Sequence, residues 1–250
     1  MKLMLTDNRL LKESVNIISE LVNEVSLSFD SDKIELKALD PANVAMVDFK
    51  LLASAFAEYN VPENVVLSLK LDDLKAILRR AKPSDTIILM HDKDNSKLKI
   101  NLVGENKRVF SIALLDLGDE EQKIPQNLNF TSKVELSTVK FDEAIEDADV
   151  VSDNVSFVSE PEKFTISAKG KINDVSVELP KTTETIISLN GGDKVKSKYS
   201  LDYLKKMTKG SKLTDSAIVY FGNEYPLKLE YVLIDKLKLS FILAPRVDEN

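Results

Sequence analysis

Six cations recur in a pattern that can attract an anion. Lys75, Arg79 and Lys82 return as Lys205, Lys209 and Lys212, each displaced by 130 residues, as from Lys75 to Lys205. At i, i+4 and i+7 each trio falls on one face of a helix. Leu74, Ile77, Leu78 and Ala81 form the apolar face opposite the first trio. A row of cations attracts phosphate without needing a base-reading side chain, and the stripes carry no interleaved aromatic residues for stacking on unpaired bases. The pattern suits loose, sequence-independent contact with a duplex backbone. Arg80 and Lys206 add charge beside the stripes, and Lys12 adds one on an earlier helix. A helix around Phe141 does the opposite, because Asp142, Glu143, Glu146, Asp147 and Asp149 repel phosphate.

Catalytic chemistry finds no comparable support. His91 is the only histidine and has no partner motif, no Ser or Thr stands in a nucleophile elbow, and Gly191-Gly192-Asp193-Lys194 lacks the Walker spacing. Asp119, Glu120 and Glu121 could gather Mg²⁺ for a nuclease, but adjacent carboxylates on an irregular segment lack preorganised geometry. The absence of Cys excludes disulfides and thiolate metal sites and suits a reducing cytosol. The expectation is a chain without catalytic residues, metal or cofactor.

The elements that carry the cations are repeated as well. Lys2 to Leu5 reads as a strand, and Thr6-Asp7-Asn8 offers caps for a helix with Leu11, Val15, Ile18, Leu21 and Val22 on its apolar face. Adding 130 gives the helix of Phe141, Ile145, Ala148 and Val151. Behind each comes a hairpin, Glu24 to Phe29 with Ile34 to Leu39, then Asn154 to Ser159 with Phe164 to Ala168. Further alternating runs are Val44 to Leu51, Val65 to Lys70, Thr86 to His91, Leu98 to Val103 and Lys107 to Leu114. The second half adds Val175 to Leu179, Thr185 to Leu189, Ser216 to Phe221, Leu227 to Leu233 and Leu237 to Leu243. The class is α+β, with antiparallel strands and two helices per half. The expected domains are 1–115 and 129–250, joined by the acidic, aperiodic connector 116–128.

The formal charge is −7 over 250 residues, so a basic surface must be local. Asp7 and Arg9 interrupt any signal-peptide core and no apolar run reaches the ~20 residues of a membrane span, which gives a cytoplasmic expectation. Apolar residues also fall where a soluble chain gains nothing by exposing them. Leu117, Ile124 and Pro125 interrupt the connector, Leu39 and Val44 flank Asp40-Pro41-Ala42-Asn43, and Ala244-Pro245 ends the last strand. If they converge, they make a groove for an amphipathic peptide.

Taken together, these segments resemble the archaeal and eukaryotic DNA sliding clamp family, proliferating cell nuclear antigen. The likeness is carried by Leu11 to Val25, Leu36-Lys37-Ala38-Leu39-Asp40-Pro41-Ala42-Asn43-Val44-Ala45-Met46-Val47, Leu115-Asp116-Leu117 through Ile124-Pro125, Pro226-Leu227-Lys228-Leu229-Glu230-Tyr231 and Leu243-Ala244-Pro245-Arg246. The resemblance implies two clamp domains per chain and a homotrimeric, pseudo-sixfold ring, with helices around a central hole and sheets outside. It implies a processivity factor of DNA replication and repair that encircles duplex DNA. Such a clamp tethers polymerase, nuclease and ligase through a short hydrophobic and aromatic motif, and a loader opens it. By the same resemblance, Leu39, Asn43, Val44, Leu117, Ile124, Pro125, Pro226, Leu243, Ala244 and Pro245 form the partner pocket, with Gln122 making one side less apolar. Subunit contact pairs Arg108, Phe110, Ile112 and Leu114 with Val175, Val177 and Leu179. The alternatives are one subunit of a heterotrimeric clamp and a peptide-binding module that does not encircle DNA.

Overall fold

Asp30 turns the first hairpin: its Oδ1 accepts the N–H groups of Asp32 and Lys33 at 2.8 and 2.9 Å. The flanking strands β2 (Glu24–Phe29) and β3 (Lys33–Leu39) then pair antiparallel, with Leu27 opposite Leu36 and Phe29 opposite Ile34. All four of those side chains are buried, so alternation sets the register by putting one face into the core. The same device gives β11 (Asn154–Glu160) and β12 (Lys163–Lys169), with Phe157 opposite Ile166.

The computed structural model describes residues 1–118 and 127–247. Ile124, Pro125, Gln122 and the cluster Asp119, Glu120, Glu121 lie outside the described residues. The chain forms two units, the first joined by Leu233–Leu239 and the second by Ala42–Met46. The first unit's remaining elements are β1 (Lys2–Leu5), α1 (Arg9–Ile18), β4 (Ala45–Leu52), β5 (Glu58–Asn60), β6 (Val65–Lys70), α2 (Leu71–Leu78), β7 (Thr86–Asp92), β8 (Lys97–Val103) and β9 (Lys107–Ala113). Those of the second are β10 (Ser132–Ser137), α3 (Thr138–Asp149), β13 (Asp174–Pro180), β14 (Ile186–Leu189), β15 (Val195–Ser200), α4 (Leu201–Met207), β16 (Ser216–Phe221), β17 (Leu227–Leu233) and β18 (Leu237–Leu243). Strand orders β5-β1-β7-β8-β9 and β4-β3-β2-β6 in the first repeat become β14-β10-β16-β17-β18 and β13-β12-β11-β15 in the second. The sequence repeat is therefore a repeat of topology.

Both helix pairs start and stop in the same way. Asn8 does not cap α1 with its side chain. Buried instead, its Nδ2 donates to the carbonyls of Lys82 and Asp85, both at 2.8 Å, and ties the start of α1 to the turn before β7. Its repeat counterpart Thr138 does the same, accepting nothing from the helix and donating through Oγ1 to the Thr214 carbonyl at 3.3 Å. Asn8→Ala removes the side-chain donor from both carbonyls, of which only that of Lys82 keeps the Asp85 N–H at 3.0 Å, and urea unfolding should show a loss of about 1–3 kcal/mol. The starts of α2 and α4 are held from outside: the N–H of Leu71 donates to the Asn23 carbonyl at 2.8 Å and that of Leu201 to the Asp153 carbonyl at 3.0 Å.

The basic helices are shorter than their sequences suggest. α2 ends at Leu78, after which Arg80 and Ala81 donate to Ile77 and Leu78 in tight three-residue turns before Pro83. α4 ends at Met207 and continues as a 3₁₀ turn over Thr208–Lys212.

The two cores differ in composition at equivalent positions. Phe141, Phe157, Phe164 and Tyr199 pack edge to face or tilted in the second, with Phe157 centred 5.4 Å from both Phe164 and Tyr199. Their first-unit counterparts are Leu11, Leu27, Ile34 and Leu69, all buried. These smaller side chains leave an apolar void of about 20 Å³ beside Phe29 and Leu36. Being apolar, it has no groups to hold a water.

Candidate nucleic-acid interface

Each unit sets its basic helix beside the helix that precedes it. Buried Leu71, Leu74 and Leu78 fasten α2 to the first core, and Leu201, Leu204 and Met207 fasten α4 to the second. The opposite faces carry the predicted cations, but neighbours already hold several of them. Lys12 Nζ donates to the Ala81 carbonyl at 3.0 Å, which fixes α1 against the end of α2. Lys75 keeps only 16% of its side chain exposed and lies 3.7 Å from Glu20. Lys205 bonds Asp149 at 2.6 Å, and that carboxylate holds the ammonium pKa above its ordinary value. Lys75 and Lys205 therefore make matching ion pairs with the ends of the neighbouring helices. Periodicity within a single helix cannot reveal such pairs, because the acids come from another element.

The remaining cations stand further out. Arg79 and Arg80 are exposed, with Arg79 Nη2 3.5 Å from Asn16 Oδ1. Lys82 is exposed and lies 3.7 Å from Glu105. Lys206 sits over the Tyr203 ring, 5.6 Å from its centroid. Lys209 and Lys212 fall on the 3₁₀ turn after α4 rather than on its α-helical stripe. On α3, Glu143, Glu146 and Asp147 are exposed, whereas Asp142 is half-buried. Burial raises the Asp142 pKa and the Glu146 charge adds to that, while a hydrogen bond from Ser211 opposes both. The helix surfaces thus carry both basic and acidic residues, with Arg79, Arg80 and Lys82 among the exposed cations.

The edge strands β9 and β13 share a burial pattern, exposed and half-buried in alternation until one buried residue near the end. Phe110, Val175 and Val177 are half-buried, while Ile112 and Leu179 are buried. Arg108 turns back into its own unit: its Nη1 donates to the Arg80 carbonyl at 3.0 Å and its Nη2 to the buried Asp85 carboxylate. Leu114 lies beyond the end of β9, its N–H donating to the Ser96 carbonyl at 2.9 Å.

The predicted pocket residues are distributed over both units. Asn43 takes the left-handed conformation at φ 56°, and the Ala244 N–H donates to the Val44 carbonyl at 2.9 Å. Pro226, Val44, Ala244 and Pro245 are half-buried, and Leu243 is fully buried. Leu39 and Leu117 belong to the first unit, where Leu117 lines a cavity of about 490 Å³ with Ser26, Ser68, His91 and Leu115. Burial lowers the His91 pKa, as do the chain's amino terminus and Lys93, with Asp92 opposing. Among the described residues no group of three or more acids and histidines is placed to hold a metal ion, and no helix is long and apolar enough to cross a membrane.

Comparison with known proteins agrees with this architecture. The family description "proliferating cell nuclear antigen, N-terminal domain" matches residues 1–122, and its C-terminal counterpart matches residues 123–246. DNA polymerase sliding clamp 1 of Thermococcus kodakarensis is 37% identical over 241 residues, covering 95% of this chain and 96% of that protein. The DNA polymerase sliding clamp of Nanoarchaeum equitans is 35% identical over 250 residues, covering 99% of this chain and 100% of its own. Among solved structures, the clamp from Thermococcus kodakaraensis superposes with a TM-score of 0.90 at 27% identity, covering 98% of this chain and 99% of that one. A PCNA2–PCNA3 complex from Sulfolobus tokodaii gives 0.87 at 28% identity, with the same coverage. Two repeated α+β units, paired basic helices and matches along the whole chain place this protein in the proliferating cell nuclear antigen family of DNA sliding clamps.

Proposed function

We propose that three copies of this chain close into a ring around duplex DNA and tether replicative polymerase and other replication and repair proteins in the cytoplasm, without catalysing a reaction. The observation that carries the ring is the repeat itself. That repeat leaves an open edge in each unit, β9 in the first and β13 in the second, and these two edge strands share a burial pattern. An edge β9 set against the β13 of another copy would satisfy two rows of backbone groups. Residues 1–115 and 129–250 act as the two clamp domains, and 116–128 as the connector.

Loose electrostatics suit sliding. Three copies at −7 each carry −21 formally, which repels DNA from the outer surface, while Arg79, Arg80, Lys82, Lys206, Lys209 and Lys212 attract it locally. Lys12 and Lys75 contribute less because they are half-buried against Ala81 and Glu20, and the Asp149 carboxylate offsets much of the Lys205 charge. Closure supplies retention, so no single contact needs to be strong. Polymerase, loader, nuclease and ligase would enter through a short hydrophobic and aromatic motif at the pocket of Leu39, Asn43, Val44, Leu117, Ile124, Pro125, Pro226, Leu243, Ala244 and Pro245.

Arg79→Glu with Lys209→Glu should leave the oligomer intact and weaken DNA contact. Removing a phosphate contact lowers the slope of log affinity against log salt by about 0.9 per site. An unchanged slope would remove these two residues from the interface. The PCNA2–PCNA3 neighbour favours a second reading, in which this chain joins other clamp subunits in a heterotrimer. The purified chain would then remain monomeric until those subunits were added.

A further inference from the structure

A cavity of about 760 Å³ opens on the second unit, on the side of β11, β12 and β15 away from α3. Phe157 and Ile166 point into the core, whereas Ser156, Ser167, Lys196 and Lys198 alternate to the opposite face. Ser167, Ser156 and Lys198 stand in one cross-strand row, a shelf of hydroxyls ending in a cation. Backbone hydrogen bonds hold the walls. The Arg246 N–H donates to the Lys198 carbonyl at 2.7 Å and the Glu224 N–H to the Lys196 carbonyl at 3.1 Å, while the Lys196 N–H donates to Asn223 Oδ1 at 2.7 Å.

The charge of this groove is specific to the second repeat. Among the described residues, Lys169, Lys196, Lys198 and Arg246 line it, against the single carboxylate of Glu224. Their first-repeat counterparts are Leu39, Val66, Ser68 and Asp116, none of them basic. A fold requirement would have put similar residues at both copies. We propose that the groove binds an extended, carboxylate-rich segment of a partner protein, a contact additional to the apolar pocket. The proposal rests on the clamp reading of the chain. Lys196 and Lys198 project from one face of a strand roughly 7 Å apart, a spacing that matches acidic residues at alternate positions of an extended peptide. The groove faces away from the helices, so a duplex held by the helix face does not reach it. The net charge of −7 disfavours long polyanions, while a short acidic segment needs only the local patch.

The test is fluorescence anisotropy of the full chain with a labelled peptide alternating Glu and Ser, at low ionic strength. Lys196→Glu with Lys198→Glu should weaken binding roughly tenfold or more, and added salt should weaken wild-type binding. Lys171→Glu with Lys194→Glu makes the same change in net charge outside the groove and should leave binding nearly unaltered. Equal loss in both variants, no peptide binding by the wild-type chain, or preferential binding of oligothymidylate that is lost in the groove variant would each overturn the proposal. Retention on circular DNA is measured on the same preparations. A wild-type chain that fails there contradicts the clamp reading, whereas a retained chain that ignores the peptide contradicts the groove alone.

Discussion

Phe110→Asp combined with Val177→Asp is expected to yield a folded single chain that no longer supports processive synthesis. Phe110 and Val177 are half-buried on β9 and β13, strands with no neighbour on their outer sides among the described residues. Each strand is held on its inner side by a full ladder, Phe110 opposite Ile100 and Val177 opposite Ile166, so each unit keeps its core. Across a subunit contact, a carboxylate would replace an apolar anchor in both partners. Loss of an anchor of this kind costs about 2 kcal/mol or more, roughly 30-fold in affinity, and two negative charges brought together add repulsion. Sedimentation should show the mass falling from an oligomer to a single chain, with far-ultraviolet circular dichroism preserved. An unchanged mass would show that these edges are not the contact.

Gly210→Ala should be among the most destabilising single substitutions in the second unit. A Cβ at Gly210 would lie 2.2 Å from Cε2 of Tyr231 and within 2.6 Å of two more ring atoms. Tyr231 is fully buried, and its ring packs edge to face with Phe241 at 6.5 Å. Burial pushes the phenol pKa well above its ordinary value, and the nearby Asp142 charge adds to the effect. The ring therefore has no route to solvent, and either the 3₁₀ turn or β17 must shift. Overpacking of this kind costs about 1–3 kcal/mol, and contact with a rigid ring places this case at the upper end. The first repeat supplies the control. Position 101 there holds the smaller Asn101, which leaves room for exposed Arg80 at the position equivalent to Gly210. Arg80→Ala should change stability by less than about 0.5 kcal/mol. Gly210→Ala with Tyr231→Leu should recover most of the loss, and urea unfolding of all three variants checks the account.

Much of this architecture was legible in the sequence because the repeat doubles every signal. The hairpin at Asp30 and its counterpart at Glu160, both helix pairs, and the runs at Thr86 and Ser216 follow from alternation and apolar faces. β15 was missed because its inward positions are Val195, Ser197 and Tyr199, and a buried serine breaks the apolar alternation. Its position was nevertheless readable as β6 displaced by 130 residues. Helix lengths were overestimated because hydrophobic spacing alone does not separate an α-helical turn from the 3₁₀ turns after Leu78 and Met207.

The site was less legible than the fold. The repeated cations identified the helix face, but the pairs Lys75–Glu20 and Lys205–Asp149 form between helices and follow from packing, not spacing. Asn8 reads as a cap in sequence and acts instead as a tether to the turn before β7, because the backbone there brings two carbonyls within reach. The basic groove beside Arg246 required strand register to bring residues of three strands and the chain's last described segment together. Subtracting one repeat from the other could have flagged it, since Lys169, Lys196, Lys198 and Arg246 have no basic counterparts.

A closed ring would be kept on DNA by topology and not by tight contact. The most direct measurement loads the protein onto closed circular duplex, determines the mass of the bound species, and then cuts the circle once. The expected result is a three-chain assembly that survives salt on the circle and is released when the DNA is linearised. A bound single chain, or equal retention on circular and linear DNA, would contradict it.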